Sequence, residues 1–142
     1  MKLFFDTGAF CALSLPEDRH NAAAKLILKR ALTANPRQFT SNYILDETYT
    51  LIRSRRGHTA AVNFMDGFKR LGISVLRVTE VIEDEASTLF RKLDFPHLSF
   101  TDCTSFALIN AHAIDHAFSF DAHFSFFRFS HPVIILPESP SE

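Results

Sequence analysis

The chain is predicted to fold as an α/β protein in which helices flank a central parallel sheet. Short apolar runs alternate along its 142 residues with helical patterns of roughly ten residues or more. This alternation is typical of parallel pairing, because each helix returns the chain to the start of the next strand. A chain of this length also fits one domain with a substantial core. We therefore expect a single domain over residues 1–136 and an unstructured tail, PESPSE, over residues 137–142.

The first half of the chain is predicted to hold two strands and four helices. Residues 2–5 are apolar and stop at Asp6, which is the pattern of a buried strand that turns into a helix. Pro36 and Gly57 then end helical segments, because proline lacks a backbone donor and glycine readily adopts the conformation that closes a helix. The predicted elements are a strand at 2–5, helices at 8–15 and 17–34, a strand at 38–41, a helix at 42–56 capped by Asn42, and a helix at 58–71.

The second half is predicted to add three strands and two helices. Ser99 and Thr101 are both candidates to cap the helix with the sequence TDCTSFAL, because hydroxyl groups accept hydrogen bonds from the free amides of a helix start. The predicted elements are a strand at 73–78, helices at 80–93 and 101–114, and strands at 117–120 and 133–136. In open α/β sheets, ligand sites gather at the carboxyl ends of the strands.

Composition limits the kinds of function that the chain supports. The formal net charge is −1, so any affinity for phosphate groups must come from local patches or from bound metal. Cys11 and Cys103 stand far apart without a metal-ligand spacing, which argues against both a zinc site and a disulfide framework. The N-terminus has too short an apolar stretch for a signal peptide, and no run reaches the roughly 18 residues of a membrane span. We expect a reduced, cytoplasmic setting with no membrane contact.

Four acidic residues are predicted to meet at one edge of the sheet. Asp6 directly follows the first predicted strand, Asp121 directly follows a later one, and Asp102 opens a helix. Glu47 lies at the edge of an apolar helical stripe, whereas its neighbour Asp46 points to the opposite face. Two carboxylates about 4 Å apart repel each other by roughly 4 kcal/mol at an effective dielectric constant near 20, so a cluster of four requires a cation. The natural cation is Mg²⁺ or Mn²⁺.

Each of these acids also has a structural interpretation. Asp6 and Asp121, taken alone, are as readily explained as caps of a helix start. Asp102 stands at the N-terminal end of a core-facing stripe, an alignment that surface capping does not require. Thr7 has a hydroxyl available to hold the second oxygen of the Asp6 carboxylate or a ligand water. The prediction of a metal site therefore depends on the joint placement of the acids.

Other polar residues give weaker predictions. His20 and His123 are candidates for substrate contact, although a single histidine near a helix end is more often structural. Arg53, Arg55 and Arg56 are candidates for contact with an RNA backbone. Basic residues at the end of a helix are also expected for dipole reasons alone.

The acidic pattern predicts a metal-dependent phosphodiesterase. The acids would hold either one ion, with some of them supporting its ligands, or two ions about 3.5 to 4 Å apart. A water activated by the cation would then attack phosphorus in line. Aspartate-nucleophile phosphohydrolases need a second Asp where this chain has Gly8, and receiver domains need a Lys where it has Asp121. No GxxxxGK loop for nucleotide binding is present. DNA stays open as an alternative substrate, and a non-catalytic binding or regulatory module is the rival function.

Four blocks of the sequence resemble the acidic blocks of the PIN-domain family, and within that family the VapC-type toxins of bacterial toxin–antitoxin pairs. The blocks are FFDTGAF, DETYTLIRSRRG, LSFTDCTSFAL and AFSFDAHF, and they span nearly the whole chain in the family's order and approximate separation. One departure follows Asp121, where HFSFFRFSHP lacks the glycine that the family usually has a few residues beyond the HF pair. The resemblance therefore rests on four ordered blocks rather than on one motif.

The resemblance implies a PIN-like three-layer fold and an endoribonuclease that depends on Mg²⁺ or Mn²⁺. It implies that the catalytic and metal-binding residues are Asp6, Glu47, Asp102 and Asp121. It also implies an RNA substrate, a homodimer, and a cognate antitoxin protein that inhibits the enzyme by occupying the active-site groove. A non-toxin PIN-domain nuclease and a non-catalytic RNA-binding regulatory module are the alternatives that the sequence leaves open.

Overall fold

A computed structural model describes residues 1–138 and shows a central sheet between helices. Its strands are β1 (Lys2–Phe5), β2 (Arg37–Ser41), β3 (Ser74–Leu76), β4 (His116–Phe118) and β5 (Ile134–Leu136). The strand order is β3-β2-β1-β4-β5, and every pairing is parallel. Residues 139–142, which belong to the predicted tail at 137–142, lie outside the described part of the chain.

Helices connect these strands and cover the sheet. In the described residues they are α1 (Thr7–Ser14), α2 (Asn21–Leu32), α3 (Asn42–Arg56), α4 (His58–Phe68), α5 (Glu80–Lys92), α6 (Phe100–Ala111) and α7 (His123–Phe126). The predicted α/β class, with a central parallel sheet flanked by helices, is confirmed. Within residues 1–138, no helix combines the length and the apolar content that crossing a membrane requires.

The central strand β1 sets the position of the site. Leu3, Phe4 and Phe5 are almost completely buried, as expected of a parallel strand that is covered on both faces. In the sheet register, Phe4 lies between Phe39 of β2 and Ala117 of β4. Because the strands run in the same direction, the segments that follow β1, β2 and β4 all leave the sheet at one edge.

Phenylalanine rings fill much of the core around this strand. Phe5 stacks on Phe10 with ring centroids 5.3 Å apart, and Phe106 stacks on Phe127 at 4.3 Å. Such pairs stabilise a fold by roughly 0.5–1.5 kcal/mol beyond the burial of their surface. Packing therefore explains many of the phenylalanines in the sequence, although Phe90 and Phe126 are exposed.

The start of α2 and the capping residue of α3 differ from the sequence prediction for local reasons. The helix predicted at 17–34 begins at Asn21, because residues 16–20 form turns in which the Asp18 carboxylate accepts a hydrogen bond from the His20 amide at 2.8 Å. Asn42 was wrongly predicted to cap α3. The cap is Ser41, whose hydroxyl accepts a hydrogen bond from the Ile44 amide, while Asn42 accepts one from the Val78 amide.

The predicted bounds also failed near the end of the chain. The strand predicted at 117–120 ends at Phe118, so Ser119 and Phe120 lie on a loop before Asp121. The helix predicted at 101–114 runs instead from Phe100 to Ala111. The short helix α7 was not predicted, because four residues give too little periodicity to recognise.

Candidate metal centre and active site

A cleft of about 740 Å³ lies at the carboxyl edge of the sheet. Its walls include all of the acids predicted from the sequence, namely Asp6, Glu47, Asp102 and Asp121. Asp6 leaves β1, Asp121 lies on the loop after β4, Glu47 lies on α3, and Asp102 lies in the first turn of α6. Residues from distant parts of the sequence thus share one concave surface, while their catalytic role stays a prediction.

The carboxylate of Asp6 is buried and does not cap its helix. Asp6 occupies the cap position of α1, but its side chain makes no capping hydrogen bond and is only 5% exposed. Its Oδ2 instead accepts a hydrogen bond from the Ser119 hydroxyl at 2.7 Å. Burial raises the pKa of Asp6 to about 7, helped by the charges of Asp102 and Asp121 and opposed by the Ser119 hydrogen bond. A charged Asp6 is therefore costly unless a cation lies nearby.

Asp102 serves both the helix and the cleft. Ser99 caps α6, and the Asp102 carboxylate accepts a hydrogen bond from the Ser99 amide at 3.4 Å, which completes a capping box. The Asp102 side chain is also buried at the cleft wall, and burial raises its pKa to about 6, with a further increase from the Asp121 charge. A charged carboxylate is costly to bury, so this burial favours a role for Asp102 in addition to capping.

His123 lies directly between two of the acids. Its Nδ1 is buried and lies 3.0 Å from Oδ1 of Asp121 and 3.5 Å from Oδ2 of Asp102, separations at which the protonated ring forms ion pairs with both acids. Its Nε2 lies 2.7 Å from the carbonyl oxygen of Pro96, and its ring stacks on Phe95. Burial lowers the pKa of His123, but the Pro96 carbonyl and the charges of Asp121 and Asp102 outweigh it and raise the pKa overall.

The most compact group of possible metal ligands differs from the predicted one. Asp102, Asp121 and His123 each offer a ligand atom, and these atoms lie within 4.8 Å of one another. Sequence reasoning favoured a structural role for His123 and so missed it. The signal was available in the block DAHF, because a residue two positions after Asp121 stays within the same turn, and the Asp121 carboxylate does accept a hydrogen bond from the His123 amide.

Ser119 is a second residue that sequence reasoning missed. It is 3% exposed, donates its hydroxyl to Asp6, and accepts a hydrogen bond from the Asp121 amide at 3.1 Å. One hydroxyl thus fixes the Asp6 carboxylate and the loop that carries Asp121. In the block FSFD this serine comes two residues before Asp121. Nothing in the local sequence shows that it contacts Asp6, which is 113 positions away.

Glu47 and Thr7 occupy other parts of the same wall. Glu47 is half-buried in the cleft and Asp46 is exposed, in agreement with the predicted faces of the helix. Of the two roles predicted for the Thr7 hydroxyl, contact with the second oxygen of Asp6 is wrong, because the hydroxyl is buried with no hydrogen-bond partner in the described chain. Contact with a ligand water stays a prediction. A buried hydroxyl without a partner is costly, and Thr7 lines the cleft, so it is available to a ligand.

The basic residues near the cleft are partly neutralised. Arg55 lies 3.4 Å from Asp18, and Arg56 lies 2.8 Å from Glu17. Arg53 is exposed on the same helix. These ion pairs reduce the charge that the predicted arginine cluster presents to a phosphate backbone, and contact with RNA there stays a prediction.

An aromatic pair also lines the cleft. The rings of His20 and Phe120 stack with centroids 4.2 Å apart and an interplanar angle of 7°. His20 is half-buried and therefore keeps part of its surface accessible from the cleft.

Fold and site together define an α/β protein with a cluster of carboxylates at the carboxyl edge of its sheet. The sequence profile of the PIN domain matches residues 3–129. The chain belongs to the PIN-domain family, as the four sequence blocks indicate. Nucleases of this family use divalent metal, and the carboxylate cluster agrees with that requirement.

Its relatives are VapC ribonucleases. The "23S rRNA-specific endonuclease VapC20" of Mycobacterium tuberculosis (strain ATCC 25618 / H37Rv) is 36% identical over 124 residues, which cover 87% of this chain and 92% of that protein. A "VapC ribonuclease" of Archaeoglobus fulgidus is 29% identical over 108 residues, which cover 74% of this chain and 68% of that protein. The predicted resemblance to VapC-type ribonucleases is confirmed.

Solved structures agree with this placement. The crystal structure of Mycobacterium tuberculosis VapC20, described as a sarcin-ricin loop cleaving toxin, superimposes with a TM-score of 0.79 at 33% identity and covers 90% of this chain and 96% of that one. VapBC2 from Rickettsia felis, bound to a DNA fragment from its promoter, gives a TM-score of 0.69 at 12% identity and covers 95% of this chain and 97% of that one. The second similarity shows the fold alone.

Proposed function

We propose that this chain is a divalent-metal-dependent endoribonuclease that hydrolyses RNA phosphodiester bonds and acts as the toxin of a type II toxin–antitoxin pair. The observation that carries the proposal is the set of acidic side chains along one cleft, two of them buried with raised pKa values. The 36% identity to a 23S rRNA-specific endonuclease over 87% of the chain supports RNA as the substrate.

The donor set fits a small divalent cation. Carboxylate oxygens are the ligands that Mg²⁺ and Mn²⁺ prefer, and we propose Mg²⁺ or Mn²⁺ held by Asp6, Glu47, Asp102 and Asp121. When bound, the cation supplies positive charge that stabilises the phosphate in the transition state and acidifies a water. The buried Thr7 hydroxyl, which has no partner in residues 1–138, supports a ligand at this point of the cleft.

The remaining residues position the acids. Ser119 holds the Asp6 carboxylate in one orientation and at the same time anchors the Asp121 amide. The Ser99 hydroxyl accepts a hydrogen bond from the Asp102 amide, which fixes the first turn of α6 and the position of Asp102 in the cleft wall. Because catalytic groups displaced by about 1 Å lose large factors in rate, these hydrogen bonds matter for turnover.

We also propose that residues 1–136 form a single domain and that the protein works in the cytoplasm. Its proposed protein partners are a second copy of the chain and a cognate antitoxin. The similarity to VapC20, whose crystal structure is described as that of a toxin, supports an antitoxin. An apolar slot of about 150 Å³ on the far side of α1 supports a protein partner, because Leu32 and Leu71 line it and stay exposed. A small open reading frame directly upstream would favour the antitoxin.

Cleavage by purified, antitoxin-free protein tests the proposed activity. Ribosomal RNA is incubated with Mg²⁺ or Mn²⁺, and the new RNA ends are sequenced. We expect defined new ends with the unaltered chain and with D46N, whose side chain is exposed, and none with D6N. If the protein neither binds Mn²⁺ nor cleaves RNA, a non-catalytic RNA-binding module is favoured instead. If it cleaves only DNA, the proposed RNA substrate is wrong.

A further inference from the structure

We propose that Nδ1 of His123 is a direct ligand, together with the carboxylates of Asp102 and Asp121, of a cation in this cleft. The nitrogen makes this position selective for transition-metal ions over Mg²⁺, because imidazole suits transition metals and Mg²⁺ prefers oxygen. The inference rests on the proposed function and goes beyond the acids that the sequence predicts.

The hydrogen bond at the far side of the ring fixes which nitrogen carries the lone pair. Nε2 of His123 lies 2.7 Å from the carbonyl oxygen of Pro96. A carbonyl oxygen only accepts hydrogen bonds, so Nε2 must carry a hydrogen. In the neutral imidazole the lone pair is then on Nδ1, which faces the two carboxylates.

That arrangement is unfavourable without a positive charge between the three groups. A nitrogen lone pair and two carboxylate oxygens repel one another at separations of 3.0 and 3.5 Å. A proton on Nδ1 would remove the repulsion if it were donated to one of the acids. Protonation of Nδ1 would supply that positive charge through ion pairs with both acids, and a bound cation would take the place of this proton in the same buried position. A shared cation satisfies all three groups at once.

The separations match those of ligands on one ion. Two ligands about 2.1 Å from a common ion lie about 3.0 Å apart in octahedral geometry and about 3.4 Å apart in tetrahedral geometry. The two distances from Nδ1, 3.0 Å to Asp121 and 3.5 Å to Asp102, fall close to these values.

The surrounding chain holds the ring in this orientation. Pro96 accepts the Nε2 hydrogen, the Phe95 ring stacks on the imidazole at 6.2 Å with an interplanar angle of 5°, and the His123 amide donates to Asp121. Metal-binding histidines usually donate their other nitrogen to a carbonyl or carboxylate in this way, which fixes the tautomer and the ring plane. The loop before α6 thus acts as the support of His123.

Pulsed electron paramagnetic resonance of the Mn²⁺-loaded full chain tests the inference directly. We expect ¹⁴N modulation from a coordinated imidazole, replaced by a ¹⁵N signal when the protein is produced with ¹⁵N-labelled histidine. The signal should disappear in H123N and persist in H20N, which removes another imidazole from the same cleft. H123Q serves as a second variant if H123N does not fold, as judged by circular dichroism.

Affinity measurements give a second readout. Calorimetric titration should show Co²⁺ binding weakened about tenfold or more in H123N, with Mg²⁺ binding changed less than about threefold and H20N unchanged for both ions. Mn²⁺ bound without ¹⁴N modulation, or equal losses for Co²⁺ and Mg²⁺, would overturn the inference. RNA cleavage is assayed on the same samples. If the protein cleaves RNA but His123 does not bind the ion, the inference about His123 is wrong and the proposed ribonuclease function is not affected.

Discussion

Replacing Asp6 with asparagine should destroy activity and yet stabilise the metal-free protein. The pKa of Asp6 rises from 3.8 to about 7, chiefly through burial, which is a shift of roughly three units. At about 1.4 kcal/mol per unit, the charged carboxylate costs the folded state roughly 4 kcal/mol at pH 8 without metal. Asparagine keeps the shape of the side chain and an acceptor for the Ser119 hydroxyl. Because a neutral acceptor forms a weaker hydrogen bond than a carboxylate, the stability gained by removing the buried charge is partly lost.

The net expectation for D6N in chelator at pH 8 is a gain of about 1 to 3 kcal/mol in the free energy of unfolding. At roughly 4 °C per kcal/mol for a chain of this size, the midpoint of thermal unfolding rises by about 4 to 12 °C. A raised carboxylate pKa means that the folded state binds more protons than the unfolded state, so wild-type stability falls as pH rises from about 4 to about 7. The advantage of D6N should therefore shrink towards pH 4.

Thermal unfolding followed by circular dichroism between pH 4 and pH 8, with and without Mn²⁺, measures this effect. D46N is the matched control, because it removes the same charge at an exposed position and should shift the midpoint very little. A folded D6N protein that is less stable than wild type at pH 8 in chelator would refute the burial argument. Near-wild-type RNA cleavage by D6N would refute the proposed role of the acid.

Further predictions concern the rest of the cleft. E47Q should lower the rate of RNA cleavage at least about a hundredfold, whereas D46N should leave it unchanged; equal rates in a single-turnover assay would remove Glu47 from the site. S119A should weaken divalent-ion binding about ten- to a hundredfold by releasing Asp6, and unchanged calorimetric affinity would contradict that role. Mn²⁺ should raise the midpoint of thermal unfolding more at pH 8 than at pH 5, since protons compete for Asp6 and Asp102; the opposite trend would argue against binding at these acids.

The sequence was sufficient to predict the layers of the fold and the position of the four acids along one cleft, while their catalytic and metal-binding roles stay predictions. Asp6 is predictable because the apolar run of a buried strand stops at this acid. Glu47 is predictable because helical geometry places it on a different face from Asp46. Both inferences use residues within one turn or one strand. Element bounds were less certain, since Ser41 rather than Asn42 caps α3 through a hydrogen bond that either residue type can make.

The supporting residues of the site were beyond the reach of local patterns. Ser119 meets Asp6 across 113 positions of sequence, and His123 is oriented by a carbonyl at Pro96, 27 positions earlier. Such contacts depend on how β1 and β4 pair and on the path of the loop before α6. A single sequence shows neither, so the acids were predicted and the groups that orient them were not.

Anomalous diffraction from crystals soaked in Mn²⁺ locates the ion relative to these acids. We expect a Mn²⁺ peak in the cleft, within coordination distance of carboxylate oxygens of Asp102 and Asp121. Replacing these acids with asparagine should remove both the peak and RNA cleavage. A saturated crystal with no Mn²⁺ in this cleft, grown from protein that cleaves RNA in the same ion, would contradict this expectation.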